Sequence, residues 1–161
     1  MQFIKLFTLL FIFAINTTLA EKSVTTVSFN NPEKFTDFKT TINTGVKDRE
    51  KLMEQLRGLM IKSVANILSN DNSLQIVVNN VDMAGGFLYG GQNLFRVVKD
   101  TDRIRLEFSY RLLDANGIIV KEDNVNLTTR NPRLLKREVK KYVHSYFPNE
   151  MPLFDRWLNE L

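Results

Sequence analysis

The residue best placed to do chemistry lies in a glycine-rich stretch that runs from Leu74 to Gly91. Asp82 stands in this stretch, directly after a run of apolar residues. A carboxyl group at the end of a buried strand can have a shifted pKa, which suits it to general acid or base catalysis. It can equally accept hydrogen bonds from the backbone N–H groups of its own turn, as aspartates in turns usually do. Both interpretations stay open at this point.

Two glycine pairs follow Asp82. A loop rich in backbone N–H groups can bind a phosphate, especially at the N-terminus of a helix. Here the spacing matches neither of the common nucleotide-binding glycine patterns, and a short apolar run follows the loop. We therefore expect a bulge or a wide turn between strands, with contact to a partner as the functional alternative. The residues of that loop contact are Asp82, Gly85, Gly86, Gly90 and Gly91.

Asp100 and Asp102 have the spacing of a paired-carboxylate metal site. Two acids in a turn are usually solvated, and a hard cation needs about six oxygen ligands, which no nearby run supplies. His144 is the only histidine and the chain has no cysteine, which excludes zinc sites and Cys–His catalysis. The sequence therefore predicts no metal and no cofactor.

The strongest charge asymmetry lies between Arg130 and Lys141, where Glu138 is the only acid among several basic residues. On a helix, four of these residues would form one stripe that can bind anionic lipid headgroups or other polyanions. The opposite side carries core-type residues, so the charges can equally be the solvated face of a packed helix. The predicted stripe consists of Arg133, Arg137, Lys140 and Lys141.

The candidate functional residues must be positioned by the strands that the sequence predicts. Leu74 to Val81 has apolar residues on both faces, so we expect it inside a sheet with cover on both sides. Arg103 to Leu113 alternates between apolar and polar residues, and an Asn-Gly turn connects it to a return strand from Ile118 to Leu127. These two strands should pair antiparallel. A first strand is predicted from Val24 to Phe29.

Helical spacing begins at Lys47 and continues to Leu68, with Gly58 inside it as a possible point of close approach to the sheet. Asn131-Pro132 starts a second helix, with Tyr146 on its inner side, and Met151 to Leu161 forms a third. The predicted fold class is α+β. It comprises a mostly antiparallel sheet of four or five strands, one long helix packed on it and two shorter C-terminal helices.

Met1 to Ala20 has the layout of a cleavable signal peptide, with Lys5 before an apolar run from Leu6 to Ile15. An uncleaved anchor is the alternative. Residues 21–161 then form a single domain, with 21 basic and 18 acidic side chains and a net charge of +3. That charge is too mild to indicate nucleic acid. We expect a periplasmic or secreted protein that is not an integral membrane protein after signal cleavage.

Five segments of the chain carry a resemblance to a known family: NPEKFTDF at 31–38, NVDMAGG at 80–86, RVVKD at 96–100, YRLLDANG at 110–117 and PLFDRWL at 152–158. They resemble domain-of-unknown-function family 3016, an uncharacterised bacterial envelope family. The resemblance implies no activity, and it is weakest between Thr129 and Ser145.

Two classes of function are consistent with these sequence features. The first is a non-catalytic envelope protein that binds an envelope protein or an anionic envelope surface through the glycine loop or the basic helix. The second is a small hydrolase that uses Asp82 or the pair Asp100 and Asp102. The first is preferred, because no two titratable groups converge in a motif that marks a reaction. Three of Asp82, Asp100, Asp102 and His144 in one cleft would favour the second.

Overall fold

The computed structural model describes residues 24–40, 45–68, 72–83, 85–90, 93–130 and 135–161, so the predicted signal peptide lies outside the described residues. One-turn 3-10 helices lie at Pro32–Lys34 and Lys140–Tyr142. The other elements are β1 (Thr26–Phe29), α1 (Val46–Ile67), β2 (Ser73–Asp82), β3 (Gly86–Gly90), β4 (Asn93–Val97), β5 (Ile104–Leu113), β6 (Ile119–Thr129), α2 (Lys136–Val139) and α3 (Glu150–Glu160).

The main sheet has the strand order β1-β2-β5-β6. β2 pairs antiparallel with β5, and β5 pairs antiparallel with β6, as the hairpin turn predicts. β1 pairs parallel with β2, because α1 lies between them in the chain and parallel neighbours need such a crossover. The α+β fold class is therefore confirmed, with a sheet that is mixed rather than strictly antiparallel.

α1 and α3 pack on one face of this sheet. Leu52, Leu56, Met60 and Val64 of α1 are buried at the helical spacing that the sequence predicts. Gly58 is exposed, and an added Cβ would meet no atom within 4 Å, so the predicted close approach at this glycine is wrong. The apolar stripe of α1, and not its glycine, makes the contact with the rest of the core.

The other face of the sheet is open to solvent. Leu74, Ile76 and Val78 of β2 point to the core, but Val77 is 37% exposed, so the expected cover on both faces of this strand is wrong. A register shift between Val78 and Asn80 returns the strand to the core face at Val81, which is buried. One bulge therefore explains an apolar pattern that looks two-faced in the sequence.

The region after β6 differs from the predicted amphipathic helix. α2 spans Lys136–Val139 and passes directly into the 3-10 turn, which has about three residues per turn instead of 3.6. Leu135 and Tyr142 are buried, but Tyr146 is 47% exposed instead of facing inward. Among the described residues, no helix is long and apolar enough to cross a membrane.

Candidate functional site

The glycine-rich stretch folds into a separate β-hairpin, which we call the arm: residues 85–90 and 93–97, with β3 and β4 paired antiparallel. Gly85 begins the arm with φ of 80°, and a Cβ there would lie 2.4 Å from the carbonyl oxygen of Val97. Both the backbone angle and the space require glycine. The two strands can therefore come together directly after β2.

The outer part of the arm carries large exposed side chains. Tyr89 is 74% exposed and Leu88 is 56% exposed. Gly90 ends β3, while Gly91 lies outside the described residues. Leu88 and Tyr89 are consecutive in β3, so each face of the hairpin presents one large exposed side chain that a partner can contact.

Arg96 fixes the base of the arm to the body of the protein. Its guanidinium group donates hydrogen bonds to the carboxylate of Asp37 and, at 2.6 Å, to the carbonyl oxygen of Lys39. It also lies 4.7 Å from the centroid of the Phe87 ring. The side chains of Arg96 and Asp37 are each 16% exposed, so this charge pair is shielded from water.

Three of the segments that resemble the family meet at this base. The Arg96–Asp37 pair joins RVVKD to NPEKFTDF. The backbone N–H of Thr36 donates to the side-chain oxygen of Asn80 at 2.9 Å, and a backbone bridge pairs Asp37 with Asp82, so NVDMAGG is joined to them as well. Segments far apart in the chain thus build one structural unit around the arm.

Glu150, the first residue of α3, lies buried near this base. It is 1% exposed, and its Oε2 atom has no hydrogen-bond partner among the described residues. Burial raises the pKa of Glu150 to about 8, the negative charge of Asp82 adds to the rise, and backbone N–H groups and Arg96 oppose it. The carboxyl group is therefore predominantly neutral at pH 7.

A second polar cluster surrounds Asp155, also on α3. Its carboxylate accepts hydrogen bonds from Ser63 at 2.7 Å, Tyr142 at 2.7 Å and Lys141 at 2.8 Å. Burial raises the pKa of Asp155, but these three donors outweigh it, and the pKa lies below its usual value. The cluster ties α1, α3 and the 3-10 turn together.

The other predicted chemical residues occupy exposed positions or bond locally. Asp100 lies in an exposed turn, and Asp102 accepts a hydrogen bond from the backbone N–H of Lys99 at 2.7 Å. His144 is exposed and forms no hydrogen bond or ion pair within the described part of the chain. Nor do the described residues include three or more acidic or histidine side chains grouped to hold a metal ion.

The predicted basic stripe is only partly described, because Arg133 lies outside the described residues. Arg137 and Lys140 are exposed, whereas Lys141 turns to Asp155 and lies 4.9 Å from the Tyr142 ring centroid. At least one of the four cations is thus engaged within the protein.

Sequence reasoning missed Glu150, Asp155 and the Arg96–Asp37 pair as site residues. A carboxylate in the first turn of a helix is normally solvated, so Glu150 gave no local signal. The usable signal was its position before four buried residues, Met151 to Phe154. The charge pair joins segments that no local pattern connects.

The profile of a family described as "Protein of unknown function (DUF3016)" matches residues 23–160. The chain belongs to the DUF3016 family. Among curated proteins, none matches this DUF3016 chain. A solved structure, the lipoprotein GNA1162 from Neisseria meningitidis, aligns with 52% of this chain and with about half of its own length (53%), at 20% identity and a TM-score of 0.24. A TM-score this low does not indicate a shared fold or function.

Proposed function

We propose that this DUF3016 protein is an exported, non-catalytic binding protein of the bacterial envelope, and that the arm contacts its protein partner. The observation that carries the proposal is the exposure of Tyr89 and Leu88 on a hairpin held by the half-buried Arg96–Asp37 pair. Tyrosine is enriched among the residues that dominate binding energy at protein interfaces. A hairpin with a fixed base presents such side chains at little cost in conformational entropy.

The hydrolase alternative has one feature in its favour, because the pKa of Glu150 is raised to about 8 and the negative charge of Asp82 contributes to that rise. Such paired carboxyl groups can supply an acid and a base. However, Glu150 is 1% exposed, so a substrate cannot reach its carboxyl group in this structure. The basic stripe around Arg137 and Lys140 stays a second predicted contact, with an anionic surface as its partner.

A photo-crosslinking amino acid at position 89, introduced in the native bacterium, tests the arm. We expect a covalent adduct with an envelope protein, and we expect the double substitution Leu88→Ser and Tyr89→Ser to reduce co-purification of that protein at least tenfold. The matched control is the end of the β5–β6 hairpin, where Ile118 of the turn and Val120 at the start of β6 are each 63% exposed. A crosslinker at position 120 and the double substitution Ile118→Ser and Val120→Ser should have no such effect.

Equal capture from both positions, or unchanged binding by the arm variant, would exclude the arm as the contact.

Export has its own test. Mass spectrometry of the protein recovered from the envelope should give an amino terminus at or near Glu21, and an intact Met1 on a protein released without detergent would contradict cleavage.

A further inference from the structure

The open face of the main sheet contains a groove that the proposed function does not use. β2, β5 and β6 line an open groove with a volume of about 590 Å³, which lies within the range of small-molecule sites. Tyr110 and Asp123 are among its lining residues. The main lining residues are Gln75, Val77, Ser109, Arg111, Glu122 and Asn124.

Three polar side chains in this groove are available for a ligand. In the described part of the chain, Gln75, Ser109 and Asn124 make no hydrogen bond through their side chains to other residues. Amide and hydroxyl groups both donate and accept hydrogen bonds, which is also what the hydroxyl groups of a sugar do. The groove therefore matches a ligand with many groups of mixed donor and acceptor character.

The charges in the groove disfavour an ionic ligand. Arg111 and Glu122 form an ion pair at 3.1 Å across β5 and β6, so they neutralise each other. The Asp123 carboxylate accepts the backbone N–H of Asn124 at 2.7 Å. No cluster of one sign remains to attract a polyanion or a polycation.

The geometry also provides an apolar contact beside the polar groups. Val77, Ser109 and Asn124 stand opposite one another on three neighbouring strands. Neighbouring strands are about 4.8 Å apart, so this row spans about 10 Å, a length that a short oligosaccharide covers. Val77, at 37% exposure, can pack against the C–H face of a sugar ring while the other two bind hydroxyl groups.

We propose that the groove between β2, β5 and β6 binds an uncharged saccharide through Gln75, Ser109 and Asn124, with Val77 beneath the sugar ring. A neutral ligand follows from the paired charges, and a hydroxyl-rich one follows from the unbonded amide and hydroxyl groups. This site is separate from the arm, so the arm variants leave it unchanged, and failure of one proposal does not decide the other.

The test is an NMR titration of the isotope-labelled protein with triacetylchitotriose and maltotriose as neutral probes. The fully deacetylated chitosan trimer and trigalacturonate serve as the cationic and anionic comparisons. We expect the neutral probes to shift the backbone amide signals of the Val77–Ser109–Asn124 row. Ser109→Ala and Asn124→Ala should each weaken binding about threefold to tenfold, the loss of one hydrogen bond.

Two further variants make the result decisive. Asn159→Ala removes an exposed amide on α3, which packs on the covered face, and should bind as the unchanged protein does. Ser109→Thr keeps the hydroxyl group and should retain binding even if Ser109→Ala fails to fold. The proposal is overturned if no neutral probe shifts the row at about 10 mM, which corresponds to binding weaker than the millimolar range. Tighter binding of a charged trimer, or shifts that Asn124→Ala does not weaken, would overturn it too.

Discussion

Glu150 and Asp155 lie on the same helix, and both carboxyl groups are withdrawn from water, yet their chemical states differ. Asp155 accepts hydrogen bonds from three side chains and has a lowered pKa. Glu150 is more deeply buried, its Oε2 atom accepts no hydrogen bond from the part of the chain that the structure describes, and its pKa rises to about 8. Hydrogen-bond donors that point at the charged form, and not burial alone, decide whether a carboxyl group in this helix keeps its charge.

The two groups therefore impose opposite pH dependences on stability. The folded protein binds the Glu150 proton more tightly than the unfolded chain does, so stability falls as pH rises from about 4.5 to about 8. The lowered pKa of Asp155 gives stability that is present above its unfolded value of 3.8 and is lost as pH falls through the folded pKa. Between these ranges, near pH 4 to 4.5, both contributions are favourable.

The largest expected effect is that of Glu150→Gln, which keeps the shape and removes the ionisable proton. At about 1.36 kcal/mol per pKa unit, a rise from 4.5 to about 8 corresponds to about 5 kcal/mol of unfolding free energy lost by the unmodified protein across this range. Urea denaturation from pH 4.5 to 9 should show this fall in the unmodified protein and a much flatter curve in the variant. The same slope in both proteins would place the titrating group elsewhere.

Asp155→Asn should have the next largest effect, because it removes the charge that three donors share. We expect a loss of about 2 to 3 kcal/mol at pH 7, since hydrogen bonds to a charged group contribute about 1.5 to 3 kcal/mol. The control is Asp48→Asn, whose carboxylate is 40% exposed and 3.8 Å from Lys51. That exposed pair should change stability by less than about 1 kcal/mol. Similar losses in both variants would mean that the buried cluster has no special role.

Ser63→Ala should cost less, because two donors to Asp155 remain. The expected loss is about 1 kcal/mol for one buried hydrogen bond. The variant should also move the pKa of Asp155 back toward its usual value, which a carbon-detected NMR titration of the carboxyl group would measure. An unchanged pKa would show that Lys141 and Tyr142 alone set the charge state.

Asp82→Asn is the smallest change and tests the link between Glu150 and the base of the arm. The negative charge of Asp82 raises the pKa of Glu150, so its removal should lower that pKa and end the fall in stability at a lower pH. The midpoint of the pH-dependent phase is the quantity to compare. A midpoint that stays in place would show that these two carboxyl groups do not interact.

Elements with strong local patterns were predictable from the sequence. The spacing of Leu52, Leu56 and Met60 gave α1 within one residue of its observed ends, and the Asn-Gly turn gave the β5–β6 hairpin. β3 was not predicted, because a strand bounded by glycines has no alternating pattern of the usual length. A helix or strand can be predicted from the sequence where its own residue pattern is long and regular enough.

The features that could not be predicted depend on contacts between distant segments. The bulge after Val78 changes which face Val81 occupies, and nothing in the local residue types marks it. The Arg96–Asp37 pair and the Asp155 cluster join groups far apart in the chain. Glu150 has the sequence position of an ordinary first-turn acid, but its carboxyl group is buried and feels the charges of Arg96 and Asp82. The hydrogen bonds and charge states of these side chains depend on tertiary contacts, which the residue pattern of a single segment does not reveal.

The parallel pairing of β1 with β2 has a consequence for how the chain folds. Ser28 and Ile76, joined by a hydrogen bond across these strands, lie 48 positions apart, so their contact forms only after a long segment has been ordered. A chain that emerges amino end first presents α1 before β2 exists. The apolar stripe of α1 is then exposed for that interval, and this helix needs protection from aggregation during synthesis.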